Sequence, residues 1–559
     1  MKGVKPNKVF CLGLDGGTFD VIDRYIQKGY LPHIKKLMDG GVRATLNSVI
    51  LPFTPQAWGS FMTGVNPGKH GVFGFREKAD GDYSFQFVNN RTLKTKLLYH
   101  ILSEAEKKVI LLNIPMTYPP EPVNGILVGG MDSPGMDSNF TFPAGTKEEL
   151  LRVAEDYVIH LHVGAGYLDS DAKRRRAVKG LLNMIEAREQ AVLHFMDHHP
   201  WDFFAVNFSA TDQVQHHFWR YMDGGHEFSD AILRVYQRVD EAVGRIAARL
   251  GTETILLVMS DHGAGAASDI VFFLDEWLEE KGLLAFKKAA PVTALKRAVV
   301  DVMLTLLSKK VSSQLKDTLM RMLPGIRVKS QGFVRRSLID WSATQVFSGE
   351  HPATLRINLK GRDKKGIVDE EAYEGLRNRL VKELEALEHP ETGEKIIEKV
   401  YKREELYESA YLHKAPDLII QTRDFAYQVK GGPYPRKTYN KVLSKKDSRD
   451  FFVNGVHRLN GIFIAHGEGV RSNSVLTSLS IMDLFPTVLY WLGVEIPRAI
   501  DGRVITEIFH EDYLIRNPAK YGDYDIQRYP EQQKTQKTYE TEEESKEIEE
   551  ALKGLGYID

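Results

Sequence analysis

Short, almost continuously apolar runs recur along the chain and predict buried β-strands. Three of them cover residues 9–14, 203–208 and 253–259. Because apolar residues fill these runs instead of alternating with polar ones, the pattern is typical of strands buried on both faces of a parallel sheet. Further strands are predicted at residues 108–113, 125–130 and 462–465.

Helical patterns separate these strands. Helices are predicted over residues 31–38, ending at Gly40-Gly41, and over 93–106, 173–198 and 481–489, the last closing at Gly493. Glycine just beyond the last turn is a common helix stop signal. Alternation of strands and helices predicts an α/β fold, with a mostly parallel sheet sandwiched by helices.

The alternation breaks after Gly263 and resumes near residue 456. A strand is predicted at 355–359, a helix at 370–387 and a long loop at 423–450. We therefore predict a core of residues 1–275 plus 431–515, interrupted by an inserted, mainly helical α+β cap at 276–430. Residues 516–559 form a polar C-terminal tail, in which 541–552 is either a glutamate-rich helix or frayed.

An amphipathic stripe lies within the predicted cap. Leu295, Val299, Met303 and Leu306 share one side of a helical pattern, with basic residues beside them. A core-facing stripe of the cap is one interpretation, and a helix lying on a membrane surface is the other.

Polar residues follow the strands where each strand ends. Asp15-Gly16-Gly17 follows the first strand, and Ser260-Asp261-His262-Gly263 follows the run at 253–259. The carboxyl ends of strands in open α/β sheets face the ligand crevice. Carboxylates and imidazoles there can bind a borderline divalent metal ion, although an isolated Asp-His pair is also explained by an Asp N-cap with a nearby histidine.

Two further places carry the same donor types. Asp212 and His216 follow the strand at 203–208 and stand four residues apart, so on a helix they share one face. His217 points elsewhere on such a helix and is not counted. His457 precedes the strand at 462–465.

A hydroxyl precedes another helix, in the segment Phe53-Thr54-Pro55. Thr54 fits the N-cap position and Pro55 the first helical position. The functional alternative is that the Thr54 hydroxyl meets a phosphate, because free amides and the helix dipole favour an anion there.

Composition narrows the function classes. The 559 residues include 74 Lys+Arg and 75 Asp+Glu, so the net charge of −1 gives no general attraction to duplex nucleic acid or anionic membranes. No apolar run reaches the ~18 residues of a membrane span. The single cysteine, Cys11, excludes an intrachain disulfide. Together with an amino terminus that has no signal-peptide core, it leads us to expect a cytoplasmic protein.

The ordered set of donors, with Thr54, Thr63-Gly64 and His70-Gly71, resembles the alkaline phosphatase superfamily. It is most similar to the type I phosphodiesterase/nucleotide pyrophosphatase branch, over residues 8–275 and 450–510. The resemblance implies an alkaline phosphatase-like fold and two divalent metal ions, zinc or alternatively manganese. One ion would be held by Asp212, His216 and His457, and the other by Asp15, Asp261, His262 and Thr54.

The resemblance also implies a reaction. Thr54 would be the nucleophile of a metal-dependent phosphoric ester hydrolase that acts on a small phosphodiester or nucleotide-like substrate through a phosphothreonine. A bound dication would stabilise the threonine alkoxide, which is otherwise scarce at neutral pH. His70 is structural in the family and is not counted as a ligand.

Two departures limit what the resemblance implies. Nucleotide pyrophosphatases carry a phosphate-contacting asparagine shortly after the His-Gly pair, whereas this chain has Val72-Phe73-Gly74-Phe75 there. The Cys/Ser-x-Pro-x-Arg signature of sulfatases is absent, which disfavours a sulfatase.

Three other functions stay open. A phosphomonoesterase or phosphomutase of the same superfamily could use the inserted cap as a lid. A non-catalytic metal-binding protein could have kept the fold. A lipid-headgroup-binding protein would depend on the 295–306 stripe alone.

Overall fold

The protein is described from a computed structural model. It describes residues 8–79, 81–161, 163, 168–287, 338–431, 442–445, 453–528, 538–539 and 541–555. The predicted stripe at 295–306 lies outside these residues.

A nine-stranded mixed sheet forms the centre of the molecule. Its strands are numbered in chain order together with those of five smaller sheets: β1 (Lys8–Leu14), β2 (Val42–Asn47), β3 (Arg76–Lys78), β4 (Phe85–Phe87), β5 (Val109–Ile114), β6 (Gly125–Gly129), β7 (Thr141–Phe142), β8 (Phe203–Phe208), β9 (Thr254–Met259), β10 (Gly263–Ala266), β11 (Ile270–Phe273), β12 (Val346–Ser348), β13 (Thr354–Ile357), β14 (Ile397–Lys402), β15 (Leu418–Thr422), β16 (Gln428–Lys430), β17 (Leu443–Lys445), β18 (Gly455–Arg458), β19 (Asn460–His466), β20 (Ser474–Ser480), β21 (Ile496–Pro497) and β22 (Tyr521–Gly522). The order in the large sheet is β20-β2-β19-β9-β1-β8-β5-β6-β7. Strands β9, β1, β8, β5 and β6 run parallel, and β19 and β7 pair antiparallel with their neighbours.

Helices cover both faces of the large sheet, and others pack against the smaller sheets. They are α1 (Phe19–Gln27), α2 (Pro32–Gly40), α3 (Thr54–Thr63), α4 (Pro67–His70), α5 (Leu98–Glu104), α6 (Thr146–Val153), α7 (Asp171–His198), α8 (Ala210–Phe218), α9 (Ala231–Ala247), α10 (Leu274–Glu280), α11 (Glu370–Glu385), α12 (Arg403–Leu406), α13 (Leu484–Leu492), α14 (Glu511–Arg516) and α15 (Glu542–Leu555). No helix within the described part of the chain is both long and apolar enough to cross a bilayer.

Burial on both faces explains why the strand sequences are continuously apolar. Along β1, Phe10, Leu12 and Leu14 pack into one hydrophobic cluster, while Val9 and Cys11 pack into the cluster on the opposite face. A strand with only one buried face would alternate apolar and polar residues. The predicted α/β fold with a mostly parallel sheet is therefore confirmed.

The arrangement of three central strands positions the site. In the parallel register Gly13 of β1 is paired with Asn207 of β8 on one side and Met259 of β9 on the other. The three strands therefore end side by side. The residues that follow the carboxyl ends of β1, β8 and β9 are therefore brought to one edge of the sheet.

The predicted helix at 93–106 is shorter than expected, since it covers only Leu98–Glu104. The amide of Lys94 donates to the His70 carbonyl, and the amide of Lys96 donates to the Ile526 carbonyl. These bonds to distant segments hold the chain extended where the pattern alone predicts the first helical turns.

The segment between the two parts of the predicted core contributes strands to two small sheets. Strands β12, β13, β15 and β14 form a four-stranded sheet, and β11 pairs with both β16 and β17. The predicted loop at 423–450 therefore contains two short strands in its described part. Their sequences carry few strand-forming residues, and pairing with buried β11 accounts for them.

The inserted segment packs against the loop that leads into α3. Leu51 and Phe73 share a hydrophobic cluster with residues of the four-stranded sheet. The hydroxyl of Tyr407 donates to the Ile50 carbonyl across 3.0 Å. The insertion therefore contacts the segment that carries Thr54.

The C-terminal glutamate-rich segment is a helix that packs on the core. Ile548, Ala551 and Leu552 are buried, and their i, i+3, i+4 spacing places them on one face. Just before the helix, Tyr539 is buried and stacks on Tyr118. Of the two predicted alternatives, helix or frayed tail, the helix is correct.

Candidate metal centre and nucleophile

The seven predicted site residues meet at the carboxyl ends of β1, β8 and β9. His262 lies at the centre of the first group. Its Nε2 atom is 3.4 Å from the Thr54 hydroxyl, 3.6 Å from Asp15 Oδ1 and 3.5 Å from Asp261 Oδ2. All four side chains are almost fully buried. The structure thus brings together the residues that the resemblance assigns to one metal ion.

Asp212, His216 and His457 form the second group. The Nε2 atoms of His216 and His457 lie 3.3 and 3.5 Å from Asp212 Oδ1, and 3.0 Å from each other. Asp212 and His216 lie one turn apart on α8, as their spacing predicts. This set is the one that the resemblance assigns to the other ion.

The two groups adjoin each other. The rings of His262 and His457 stack with centroids 3.6 Å apart and planes 21° apart. Donor atoms of Asp212, His262 and His457 all lie within 4.8 Å of one another, as do those of Asp15, Asp261 and His262. We call the six donors together the cradle; they are Asp15, Asp212, His216, Asp261, His262 and His457.

Backbone carbonyls orient all three imidazoles of the cradle. Nδ1 of His216 faces the Gly455 carbonyl at 2.7 Å, Nδ1 of His457 faces the Pro52 carbonyl at 2.7 Å, and Nδ1 of His262 faces its neighbour's carbonyl at 3.0 Å. A carbonyl only accepts, so each Nδ1 donates its proton. In a neutral imidazole, Nε2 then carries no proton and is available as a metal ligand, the arrangement common for histidine ligands.

Asn207 supports the first carboxylate. Its Nδ2 donates to Asp15 Oδ2 at 2.7 Å, and the Thr211 hydroxyl donates to the Asp15 carbonyl at 2.6 Å. Sequence reasoning missed both residues. A signal was present, because Asn207 is an isolated amide near the end of an otherwise apolar strand, and buried amides are retained where they are hydrogen-bonded.

The glycine after Asp15 is required by close packing. Gly16 has φ +64°, and a Cβ atom built on it would lie 2.9 Å from Asp212 Oδ1. Its amide donates to Asp261 Oδ1 at 3.4 Å. A side chain here would strain the backbone and displace a carboxylate of the cradle.

Thr54 is not the N-cap of α3, contrary to one of its two predicted interpretations. Phe53 occupies the N-cap, and the Ala57 amide donates to its carbonyl. The helix begins one residue earlier than predicted, with Pro55 at its second position. No side chain caps this end, so the Thr54 hydroxyl has no capping role and its contact is with His262.

His70 lies outside the cradle groups. Its Nε2 is 3.0 Å from the Ser60 hydroxyl, and its Nδ1 accepts from the Val72 amide at 3.3 Å. These contacts join α3 to the turn after α4, in keeping with its predicted structural role.

The carboxylates of the cradle destabilise one another as anions. Burial, and then the charge of Asp212, raise the pKa of Asp15 to about 7. Burial and the neighbouring Asp15 raise the pKa of Asp261 well above its usual value. Burial acts the same way on Asp212, but the charges and hydrogen bonds of His216 and His457 outweigh it and hold its pKa well below the usual range. Burial also lowers the pKa values of His262 and His457, which favours neutral imidazoles.

Two carboxylate oxygens show that the cradle fits a cation. Asp15 Oδ1 and Asp261 Oδ2 are buried and accept no hydrogen bond from the described residues. A buried carboxylate oxygen without a donor is costly unless a cation neutralises it. The donor set of oxygens and imidazole nitrogens suits borderline divalent ions such as zinc.

Comparison with protein-family models shows which family the chain belongs to. Residues 9–445 match the model of the family described as type I phosphodiesterase/nucleotide pyrophosphatase. The chain belongs to this family. It is therefore a metal-dependent phosphoester hydrolase of the alkaline phosphatase superfamily.

Two solved structures, of alkaline phosphatase PafA and of a phosphonoacetate hydrolase, agree on the fold, and a third is similar. A variant of alkaline phosphatase PafA is 15% identical, with a TM-score of 0.50 and coverage of 91% of this chain and 99% of that chain. Phosphonoacetate hydrolase from Sinorhizobium meliloti, in complex with phosphonoformate, is 14% identical, with a TM-score of 0.50 and coverage of 88% and 97%. Murine ectonucleotide pyrophosphatase/phosphodiesterase 5 is 14% identical, with a TM-score of 0.49 and coverage of 90% and 100%. Among curated proteins, no sequence matches the chain.

Proposed function

We propose that the protein hydrolyses small phosphodiesters through a phosphothreonine formed on Thr54. The observation that carries the proposal is the position of the Thr54 hydroxyl, buried and 3.4 Å from His262, beside two carboxylate oxygens without donors. The Thr54 hydroxyl caps no helix and contacts His262 of the cradle, which supports its role as the nucleophile.

The cradle would hold two divalent ions, which we propose to be zinc. Asp15, Asp261, His262 and Thr54 would hold one, and Asp212, His216 and His457 the other. When bound, such ions act as Lewis acids that lower the pKa of a coordinated hydroxyl and offset charge on phosphoryl oxygens.

Thr54 then forms and breaks the bonds to phosphorus. Its hydroxyl loses its proton to solvent, and its oxygen attacks phosphorus in line with the leaving alcohol, which takes up a proton from solvent as its bond to phosphorus breaks. The phosphoryl group, with its second ester group still attached, is then esterified to Thr54. Water attacks this phosphorus in the second step, the bond to Thr54 breaks, and one proton of the water restores the threonine hydroxyl while a phosphomonoester is released. Helix α3 holds the oxygen rigidly, because its side chain is enclosed on a fully buried helix.

An aromatic group beside the cradle supports a diester substrate. Phe53 packs against His351 with ring centroids 4.2 Å apart, and it also neighbours Phe75 and His457. Flat or apolar groups bind favourably on such surfaces. The second, non-leaving ester group of a phosphodiester would supply one, whereas a phosphomonoester substrate has no second ester group.

The alternative is a phosphomonoesterase or phosphomutase. It is favoured by the contact of Tyr407 with the Ile50 carbonyl, since an insertion that packs on the nucleophile's loop could act as a closed lid. We propose the same lid role for residues 276–430 in either case.

The single, buried Cys11 agrees with the proposed cytoplasmic location.

One experiment separates these candidates. The zinc-loaded protein is assayed with bis-p-nitrophenyl phosphate and p-nitrophenyl phosphate, and acid-quenched samples are examined by peptide mass spectrometry. We expect a higher kcat/KM for the diester, which should leave a p-nitrophenyl phosphoryl group on Thr54, whereas the monoester should leave a phosphoryl group there. Higher kcat/KM for the monoester would favour the alternative, and either adduct on another residue would contradict the role of Thr54 as the nucleophile.

A further inference from the structure

A second set of metal-binding side chains lies far from the cradle. Glu149 is in the first turn of α6, His194 is near the end of α7, and His199 directly follows α7. These residues precede the amino end of β8, whereas the cradle lies beyond its carboxyl end. Six strand residues, roughly 20 Å, separate the two regions.

One carboxylate oxygen joins the three side chains. Glu149 Oε1 lies 2.7 Å from His194 Nε2 and 2.9 Å from His199 Nε2. One donor atom from each residue lies within 4.8 Å of the other two. The side chains are 23%, 18% and 31% exposed, so an ion could reach them from solvent without opening the core.

The chemistry of this group suits zinc. Two imidazole nitrogens and one carboxylate oxygen are typical zinc ligands, and three protein ligands leave a position for water. Ligand atoms about 2.0–2.1 Å from a tetrahedral ion lie roughly 3.3 Å apart. The observed distances must therefore widen by a few tenths of an ångström, which partly exposed side chains permit.

The neighbouring His198 packs beside this group without belonging to it. Its ring stacks on His194 with centroids 4.2 Å apart and planes 22° apart. Its Nδ1 lies 2.9 Å from the His194 carbonyl, so it donates to that oxygen. His198 is thus a nearby histidine whose Nδ1 is bonded to the backbone and which contributes no donor atom to the group.

We propose that Glu149, His194 and His199 bind a zinc ion that fastens α6 to the end of α7. The chain has one cysteine and can form no disulfide within itself, so a metal ion is the available strong cross-link between these elements. In its absence the two histidines donate to the carboxylate and give a weaker connection. This site is independent of the proposed reaction at Thr54.

The test compares the full-length protein with the double variant H194A/H199A. Chelator-treated samples are titrated with zinc by calorimetry, and bound zinc is counted after desalting. We expect the double variant to bind one equivalent less than the wild type. Glu149→Gln should weaken the same equivalent by at least about 100-fold, since losing even an outer partner of a ligand costs 10–100-fold. His198→Ala is the matched control, and it should keep that equivalent.

Hydrogen exchange gives a second, local readout. Zinc should slow amide exchange in residues 146–153 of the wild type and of H198A, but not of H194A/H199A. Equal zinc counts in wild type and double variant would overturn the proposal. The proposal would also be overturned if zinc slowed exchange at residues 146–153 equally in the wild type and the double variant, or if H198A lost one equivalent of zinc. Failure of the cradle to bind two ions would change the total count but not this difference.

Discussion

Among the described residues, the cradle and the group on α6 and α7 could both hold metal, and they differ in how their charges are satisfied. In the cradle, three carboxylates are buried together, and each imidazole is turned inward by a backbone carbonyl. In the group on α6 and α7, one partly exposed carboxylate is satisfied by the two histidines themselves.

The difference shows that the proximity of ligand atoms does not by itself decide whether a group depends on a metal ion. Buried carboxylate oxygens that accept no hydrogen bond from the described residues are costly as anions unless a cation neutralises them. The exposed group is already hydrogen-bonded, so metal binding there must compete with bonds that exist. We therefore expect the cradle to depend on metal for its function and the surface group to use metal only as a connection.

The largest expected effect is at the nucleophile. Thr54→Ala should lower kcat for bis-p-nitrophenyl phosphate by at least about 1,000-fold, because losses of an enzyme nucleophile are of this size or larger. Metal content should stay near that of the wild type, because six other donors remain. Thr54→Ser is the control and should retain measurable turnover. Undiminished turnover in the alanine variant would exclude Thr54 as the nucleophile.

Removing a cradle carboxylate should have the next largest effect. Asp261→Asn should lose one equivalent of bound metal and at least about 100-fold in kcat/KM, since an amide cannot replace the anionic ligand. Asp240→Asn is a matched control. Asp240 is also a buried carboxylate, but it accepts the amides of His33 and Ile34 outside the cradle. Equal metal content in the two variants would contradict the ligand role of Asp261.

Asn207 tests whether the supporting hydrogen bond matters. Asn207→Ala removes the donor to Asp15 Oδ2, so we expect metal affinity to fall roughly 10–100-fold. Turnover should largely recover when metal is saturating, because the ligands themselves remain. Competition with a fluorescent zinc chelator measures this change. An unaltered affinity would show that the hydrogen bond serves only the fold.

The pH dependence of the free energy of unfolding tests whether the buried carboxylates of the cradle disfavour their charged forms in the metal-free protein. Burial raises the pKa of Asp15 to about 7, above its unfolded value of 3.8. Its protonated form therefore favours the folded state, and this contribution is present below pH 3.8 and lost as pH rises to 7. The loss is at most about 1.4 kcal/mol per pH unit. Urea unfolding of the chelator-treated wild type should show it, and Asp15→Asn should show less. Identical slopes would contradict the account.

The smallest effect is expected from the surface group. H194A/H199A should leave kcat/KM for the diester within about twofold, because the altered residues lie roughly a strand length from the cradle. Steady-state assays at saturating metal check this. A loss comparable to that of Asp261→Asn would mean that the two groups are coupled.

The strands and the donors at their ends were predictable for a physical reason. Apolar runs such as that of β1 indicate burial on both faces, and neighbouring parallel strands bring their following residues to one edge. Asp15 and Asp261 could thus be expected to meet. The supporting atoms could not, because the carbonyls of Pro52 and Gly455 have no side-chain signature in a sequence.

Residues that lie on helices were harder to predict. Glu149 and His194 are 45 positions apart on two helices, so no strand-end pattern connects them. In the C-terminal helix, the buried stripe of Ile548, Ala551 and Leu552 is interspersed with glutamates that dominate the composition. Tertiary packing, which composition does not encode, selected the helix over a frayed tail.

Zinc-edge anomalous diffraction from zinc-loaded crystals tests the central claim most directly. We predict two peaks in the cradle, one within coordination distance of Asp15, Asp261, His262 and the Thr54 hydroxyl, and one beside Asp212, His216 and His457. A single peak in the cradle, or two peaks there with the Thr54 oxygen outside coordination distance of both, would contradict the account.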